Sequence, residues 1–202
     1  MSEATAASVP RRQQILEALA QELERAPGER ITTAQLARAV GVSEAALYRH
    51  FPSKARMFEE LIGFAEETVF GRIALILAER RSALERCGQI LALLLTFGER
   101  NAGITRVLLG DALVGETPRL RERGEQFFRR LETQLRQVLR EGSLHGELQP
   151  GQAVGAQAAL LTAVVAGRLQ RYAQGGFAER PTAEWEAQWQ LLHAGLRAGA
   201  LT

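Results

Sequence analysis

The chain has 202 residues, 46% of them apolar, and a formal net charge of +2. That length supports one or two domains with a real core, and the greasiest run, "ILALLLTFG", is too short to span a membrane. The single cysteine, Cys87, excludes an internal disulfide and a cysteine-rich metal site, and "MSEATAASVPRR" has no secretory pattern, so the expected location is cytoplasmic.

The helical punctuation is dense. Pro10 opens a first helix carrying Ile15, Leu16, Leu19, Ala20 and Leu23 at three-to-four spacing. Thr33 is the expected cap of a short second helix (Leu36, Ala37, Val40) that Gly41 closes. Ser43 caps a third that reaches His50 and stops before Pro52. Ser53 caps a long fourth with the stripe Phe58, Leu61, Ile62, Ala65, Val69, Ile73 and Ile76. A fifth helix spans about Ala83 to Glu99, and a short sixth follows Asn101. The seventh runs from Thr117–Pro118 to Gly142, and "GSLHGELQPG" is a loop. The eighth covers about Gln152 to Gln174. Thr182 is the expected cap of a ninth, with Trp185, Trp189, Leu192 and Leu196 on one face. Nine helices and no strand signal give an all-α fold, divided into a head, 1–56, and a helical body, 57–202.

Residues Thr33 to His50 have the makings of a helix-turn-helix. Ala37 is small where two helices must cross, Gly41 supplies a positive φ, and Leu47 points back towards the first helix. The third helix is too short to stand alone and too polar outside to be core, which is the shape that enters a major groove with its N-terminal residues nearest the bases. There Ser43, Glu44, Ala45 and Ala46 let the backbone sink in. Ser43 suits base edges or phosphate, Glu44 a cytosine amine, and the alanine methyls suit thymine methyls. Thr32 and Thr33 offer hydroxyls and helix-start amides to a phosphate. Tyr48, Arg49, His50 and Lys54 suit the flanking backbone. Among 25 basic residues only Lys54 is lysine; coding bias accounts for the arginines, and the exception hints at a need for a compact point charge. Blander readings stand beside these: Tyr48 as a packed aromatic, His50 as a helix stop, Glu44 as a dipole complement, and Arg11 and Arg12 as either a minor-groove arm or a tail.

"ITTAQLARAVGVSEAALYRHFPSK" resembles the DNA-binding domain of the TetR-type transcriptional regulators, and nine helices fit that family. With "LLLTFGERNAGITRVL" and "QLRQVLRE", the resemblance extends to the nucleoid occlusion branch of the family. It covers most of the chain and loosens after Gly142. It implies a nucleoid-associated homodimer on palindromic double-stranded DNA sites that captures the division GTPase FtsZ and antagonises Z-ring assembly and septum closure. No cofactor, metal, membrane contact or small-molecule effector is expected. The same resemblance assigns FtsZ binding to the fourth and fifth helices, at Phe64, Arg72, Leu93, Arg100 and Asn101, where the arginines suit an acidic tail peptide. Phe64 lies about 110° off its helix's apolar stripe, so it is covered by a neighbour or presented to a partner. Asn101 is equally suited to capping the sixth helix. The branch carries glycine where this chain has Thr96, which bears on the depth of the groove.

Dimerisation is expected through the eighth and ninth helices, by Ala156, Ala159, Leu160, Ala163, Gly167, Leu169, Trp189, Leu192 and Leu196, unless these pack within one chain. The alternative function is a ligand-responsive repressor, which needs a cavity that "ILALLLTF" is built to fill. Catalysis is not expected: His50, His145 and His193 are scattered, and no phosphate loop, zinc spacing or nucleophile elbow is present.

Overall fold

Local capping chemistry sets the helix starts of the head. The computed structural model describes residues 10–113, 115–149, 151 and 153–198. Among these residues lie nine α-helices and no strand: α1 (Arg11–Arg25), α2 (Thr33–Val40), α3 (Glu44–His50), α4 (Lys54–Ala78), α5 (Ala83–Arg100), α6 (Ala102–Leu108), α7 (Pro118–Leu144), α8 (Val154–Gln174) and α9 (Trp185–Ala198), with a single 3-10 turn at Asp111–Leu113. Ser43, Ser53 and Ser82 cap α3, α4 and α5 by accepting from the amides of Ala46, Arg56 and Glu85. The cap of α2 is Thr32 rather than Thr33. Its hydroxyl accepts from the Gln35 amide while the Gln35 side chain accepts from the Thr32 amide, a reciprocal capping box. Gly41 ends α2 at φ 73°, the left-handed exit that lets α3 turn back across α2.

One continuous apolar cluster joins head and body: Ile15, Leu47 and Phe51 belong to the same buried network as Leu91, Leu131 and Leu161. The boundary expected after residue 56 falls inside α4, which runs unbroken from Lys54 to Ala78 and carries buried residues from Met57 to Ile73.

The helix that frames the head is locked onto the body. Gly103 of α6 meets α1 so closely that a Cβ there would lie 2.0 Å from the Ala20 carbonyl oxygen. Arg106, 1% exposed, donates through Nη1 to the carbonyls of Leu23 (2.6 Å) and Ala26 (2.9 Å) and pairs with Asp111. A body side chain thus holds the C-terminal end of α1, at the Leu23 carbonyl in its last turn and at the Ala26 carbonyl just beyond it.

Candidate nucleic-acid interface and a second hollow

The candidate reading face lies on α3 and the start of α2, with several of its polar groups engaged within the protein. Leu47 is fully buried and anchors α3, while Ser43, Glu44, Ala45, Tyr48, Arg49 and His50 are exposed and Ala46 is half-buried. Ser43 accepts the Ala46 amide at 3.2 Å, which leaves its hydroxyl proton available. Glu44 accepts from the Thr33 hydroxyl at 2.7 Å, so this pair ties α2 to α3 before any base is met. Thr32 spends its hydroxyl within the capping box. What the start of α2 still presents is the pair of amides at Thr33 and Ala34, which have no intrahelical acceptor. Arg30, Arg38 and Arg49 have no ion pair among the described residues.

Two cations depart from expectation. Arg12 is neither arm nor tail: it lies in the first turn of α1, 4.2 Å over the Phe51 ring. It donates to the His50 carbonyl at 2.8 Å and pairs with Glu60, fastening the end of α3 to α1 and α4. Lys54 does not point free towards a flanking phosphate. Its side chain is 14% exposed, and its ammonium donates to the Ile31 carbonyl at 2.7 Å and pairs with Glu116 at 2.8 Å. The compact charge that its isolation among arginines suggested is used inside the protein.

Phe64 is 47% exposed, with its ring centroid 6.5 Å from that of buried Phe97. It lines a hollow of about 330 Å³ together with Leu61 of α4, Leu16 and Ala20 of α1, and Arg100 and Asn101 at the α5–α6 junction. The structure therefore brings together Phe64, Arg100 and Asn101. Arg72, exposed on α4, and Leu93, half-buried on α5, do not line this hollow, nor does Thr96. Asn101 does not cap α6 with its side chain; its amide donates back to the Phe97 carbonyl at 2.8 Å and holds the end of α5. Sequence reasoning missed the α1 wall. The signal was present in Leu16 and Ala20, on the edge of an apolar face whose centre, Ile15–Leu19–Leu23, is buried.

The dimer face is likewise redistributed. Ala156, Ala159, Leu160, Ala163 and Gly167 form an exposed stripe along α8, with Leu160 52% exposed. Leu169, Trp189 and Leu196 instead belong to the protein's own core, and Leu192 is half-buried. Thr182 does not cap α9 with its hydroxyl, which donates to Glu99. The exposed apolar residue on α9 is Leu191, at 76%, on the edge opposite the tryptophans. Its signal was the second small-residue line Ala187, Leu191, Ala194, Gly195.

Among the described residues no group of three or more His, Cys, Asp or Glu side chains is placed to hold a metal, and no helix is long and apolar enough to cross a membrane.

Comparison with known proteins agrees with this fold. Residues 15–61 match the family described as "Bacterial regulatory proteins, tetR family", and residues 81–197 match the SlmA-like "Tetracyclin repressor-like, C-terminal domain". The nucleoid occlusion factor SlmA of Colwellia psychrerythraea is 53% identical over 184 residues, covering 91% of this chain and 93% of that protein. That of Alteromonas mediterranea is 54% identical over 183 residues, 89% and 92% of the two chains. Among solved structures, the MbdR regulator from Azoarcus sp. CIB superposes with a TM-score of 0.78 at 15% identity, covering 96% of this chain and all of that one (100%). The TetR family regulator PfmR from Thermus thermophilus gives 0.73 at 22% identity, over 90% and 98%. These likenesses are to the fold; the relatives at half identity carry the narrower assignment. The chain belongs to the family of the nucleoid occlusion factor SlmA, within the TetR-type DNA-binding proteins.

Proposed function

We propose that a homodimer of this chain binds palindromic chromosomal sites and from them captures FtsZ, antagonising Z-ring assembly over the nucleoid. TetR-type regulators dimerise and bind DNA, and the exposed stripe on α8 and the exposed Leu191 of α9 suit the twofold seam. The observation that carries the second half of the reading is Phe64. It is a half-exposed aromatic over a hollow whose rim holds Arg100, a guanidinium with no ion pair among the described residues. That combination fits an extended peptide with an apolar anchor and an acidic residue.

On DNA, the amides of Thr33 and Ala34 and the Ser43 hydroxyl face the phosphates and base edges. Glu44 to Ala46 approach the groove floor, and Tyr48, Arg49 and His50 grip the flanking backbone. Phe64 stands ten residues along α4 from Lys54, about 15 Å by helical rise, so the FtsZ surface begins just behind the reading head. Arg72 and Leu93 extend that surface along α4 and α5. The protein acts at the nucleoid, without a cofactor and without catalysis.

The test is co-sedimentation of FtsZ polymers with the protein plus specific duplex or scrambled duplex. Polymer loss that is the same with both duplexes overturns the reading. Tyr48→Ala separates the surfaces by abolishing site-specific DNA binding while FtsZ-tail binding persists. Thr32→Ala does so less cleanly, because it also removes a helix cap that contributes about 1 kcal/mol.

A second reading has one observation of its own. A cleft of about 730 Å³ lies between α6, α7 and α8, lined by Leu108, Phe128 and Thr162 and edged by Arg121, Glu125 and Arg129. In a ligand-responsive repressor, a metabolite seated there would raise the melting temperature and release the duplex. Thermal shift against a metabolite panel decides it.

A further inference from the structure

The contacts of Lys54 tie the start of α4 to two other stretches of chain. It is the first residue of α4, and its ammonium holds the Ile31 carbonyl (2.7 Å) in the connection that enters α2. It also holds the Glu116 carboxylate (2.8 Å), in the connection that leads into α7. Both side chains of the pair are largely withdrawn from water, 14% and 13% exposed, and the ammonium lies 5.4 Å over the Phe58 ring. The same two connections touch a second time: the Arg30 guanidinium lies 3.4 Å from where a Cβ on Gly115 would sit. Ile31 itself is buried, so the carbonyl that Lys54 grips belongs to fixed backbone. Beside the apolar core they share and the contacts of Arg12 and Arg106, the reading head and the body therefore also meet at a small junction whose polar centre is one ion pair.

We propose that Lys54 and Glu116 form a strut that sets the orientation of the reading head on the body, and that Glu116 is a positioning residue for DNA binding although it touches no DNA. This rests on the DNA-binding reading above. A withdrawn carboxylate and ammonium with good geometry hold each other firmly, because neither is readily re-solvated alone. A palindromic site requires two heads at one fixed separation, a helical turn or a multiple of it. A head that wobbles on its body must be ordered at the moment of binding, which weakens the complex. A single half-site makes no such demand.

The experiment compares the parent homodimer with Glu116→Gln on full palindromic and half-site duplexes over a salt series. The expected result is an affinity for the palindrome lower by about tenfold, half-site affinity within about twofold, and an unchanged salt slope. Unchanged palindrome binding would overturn the strut, as would equal losses on both duplexes. Tighter binding with a slope steeper by about 0.9 would also overturn it, because Lys54 would then be a phosphate contact that Glu116 restrains. Lys54→Gln removes the same pair from the other side and asks the question however Glu116→Gln folds. Its slope is expected to match the parent's; a slope flatter by about 0.9 would make Lys54 a direct contact and sink the proposal. In the double variant the palindrome affinity is expected to equal that of either single variant, since the pair acts as a unit; additive losses would contradict that.

Discussion

Phe64→Ala gives the sharpest test of the second surface, because its size can be worked from exposure. The residue is 47% exposed. An aromatic of this kind buries roughly 200 Å² in full, so about 95 Å² remains for a partner. At about 25 cal/mol per Å², covering that area contributes about 2.4 kcal/mol, or about fiftyfold in Kd. Ordering of a flexible tail consumes part of any such gain, so fiftyfold is the ceiling and about tenfold the expectation. Fluorescence anisotropy of a labelled FtsZ C-terminal tail peptide measures it directly. The fold should lose about 2–3 kcal/mol, from the roughly 105 Å² that the ring already buries and its 6.5 Å contact with Phe97, and should remain folded. DNA affinity should stay within about twofold, because Phe64 lies some three helical turns from Lys54. A loss below twofold on the peptide would remove Phe64 from the partner surface. A loss of similar size on DNA and peptide would mean that the two surfaces are one.

Leu191→Glu places a charge on the residue at the centre of the exposed α9 edge and should convert the dimer to monomer in light scattering, with helicity by circular dichroism unchanged. A stable dimer would move the seam elsewhere. Arg106→Met leaves the buried Leu23 carbonyl without this donor, removes one of the two donors to the Ala26 carbonyl and unpairs the Asp111 carboxylate, and should lower unfolding free energy by about 3 kcal/mol in urea. A change under about 1 kcal/mol would show that water replaces the guanidinium. Burial pushes the Cys87 thiol up to about 12, so in the native protein it stays protonated and should resist alkylation at pH 8 until urea unfolds the chain. Because the folded value lies above the unfolded one, the same thiol withdraws stability as pH rises from about 9 towards 12, where only the unfolded chain ionises; a Cys87→Ser or Cys87→Ala comparison in alkaline urea titrations reads that difference.

What the sequence made legible was local. Ser43, Ser53, Ser82, Gly41 and the apolar periods place the helices, because each signal needs only neighbours within four residues. Thr32 could have been read correctly as the α2 cap, since Gln35 stands three residues later and completes the box. Gly142, the expected end of the seventh helix, is instead buried within α7, which continues to Leu144. The misses that bear on function are of another kind. Lys54 looks like a phosphate contact until Glu116, 62 positions on, is folded against it. Thr182 looks like a cap until Glu99 claims its hydroxyl, and Trp189 looks like a dimer anchor until the chain's own core takes it. In each case the competitor is remote in sequence, and no window of the chain contains both partners.

Other contacts between residues remote in sequence converge on α1. Its first turn is held to the end of α3 by Arg12, its middle is pressed on α6 at Ala20, and its C-terminal end is held by Arg106. The same helix supplies Leu16 and Ala20 to the wall of the Phe64 hollow. The frame of α3 and one wall of the candidate partner hollow are therefore a single element. A side chain such as Tyr48 or Phe64 can be removed from one surface without touching the other. A displacement of the head cannot be confined in that way, because moving α3 with Arg12 attached moves the helix that Phe64 faces. Substitutions thus separate the two surfaces, whereas movements of the head join them, and the contacts that decide how far the head can move are those of Arg12, Lys54 and Arg106 rather than any residue that meets DNA.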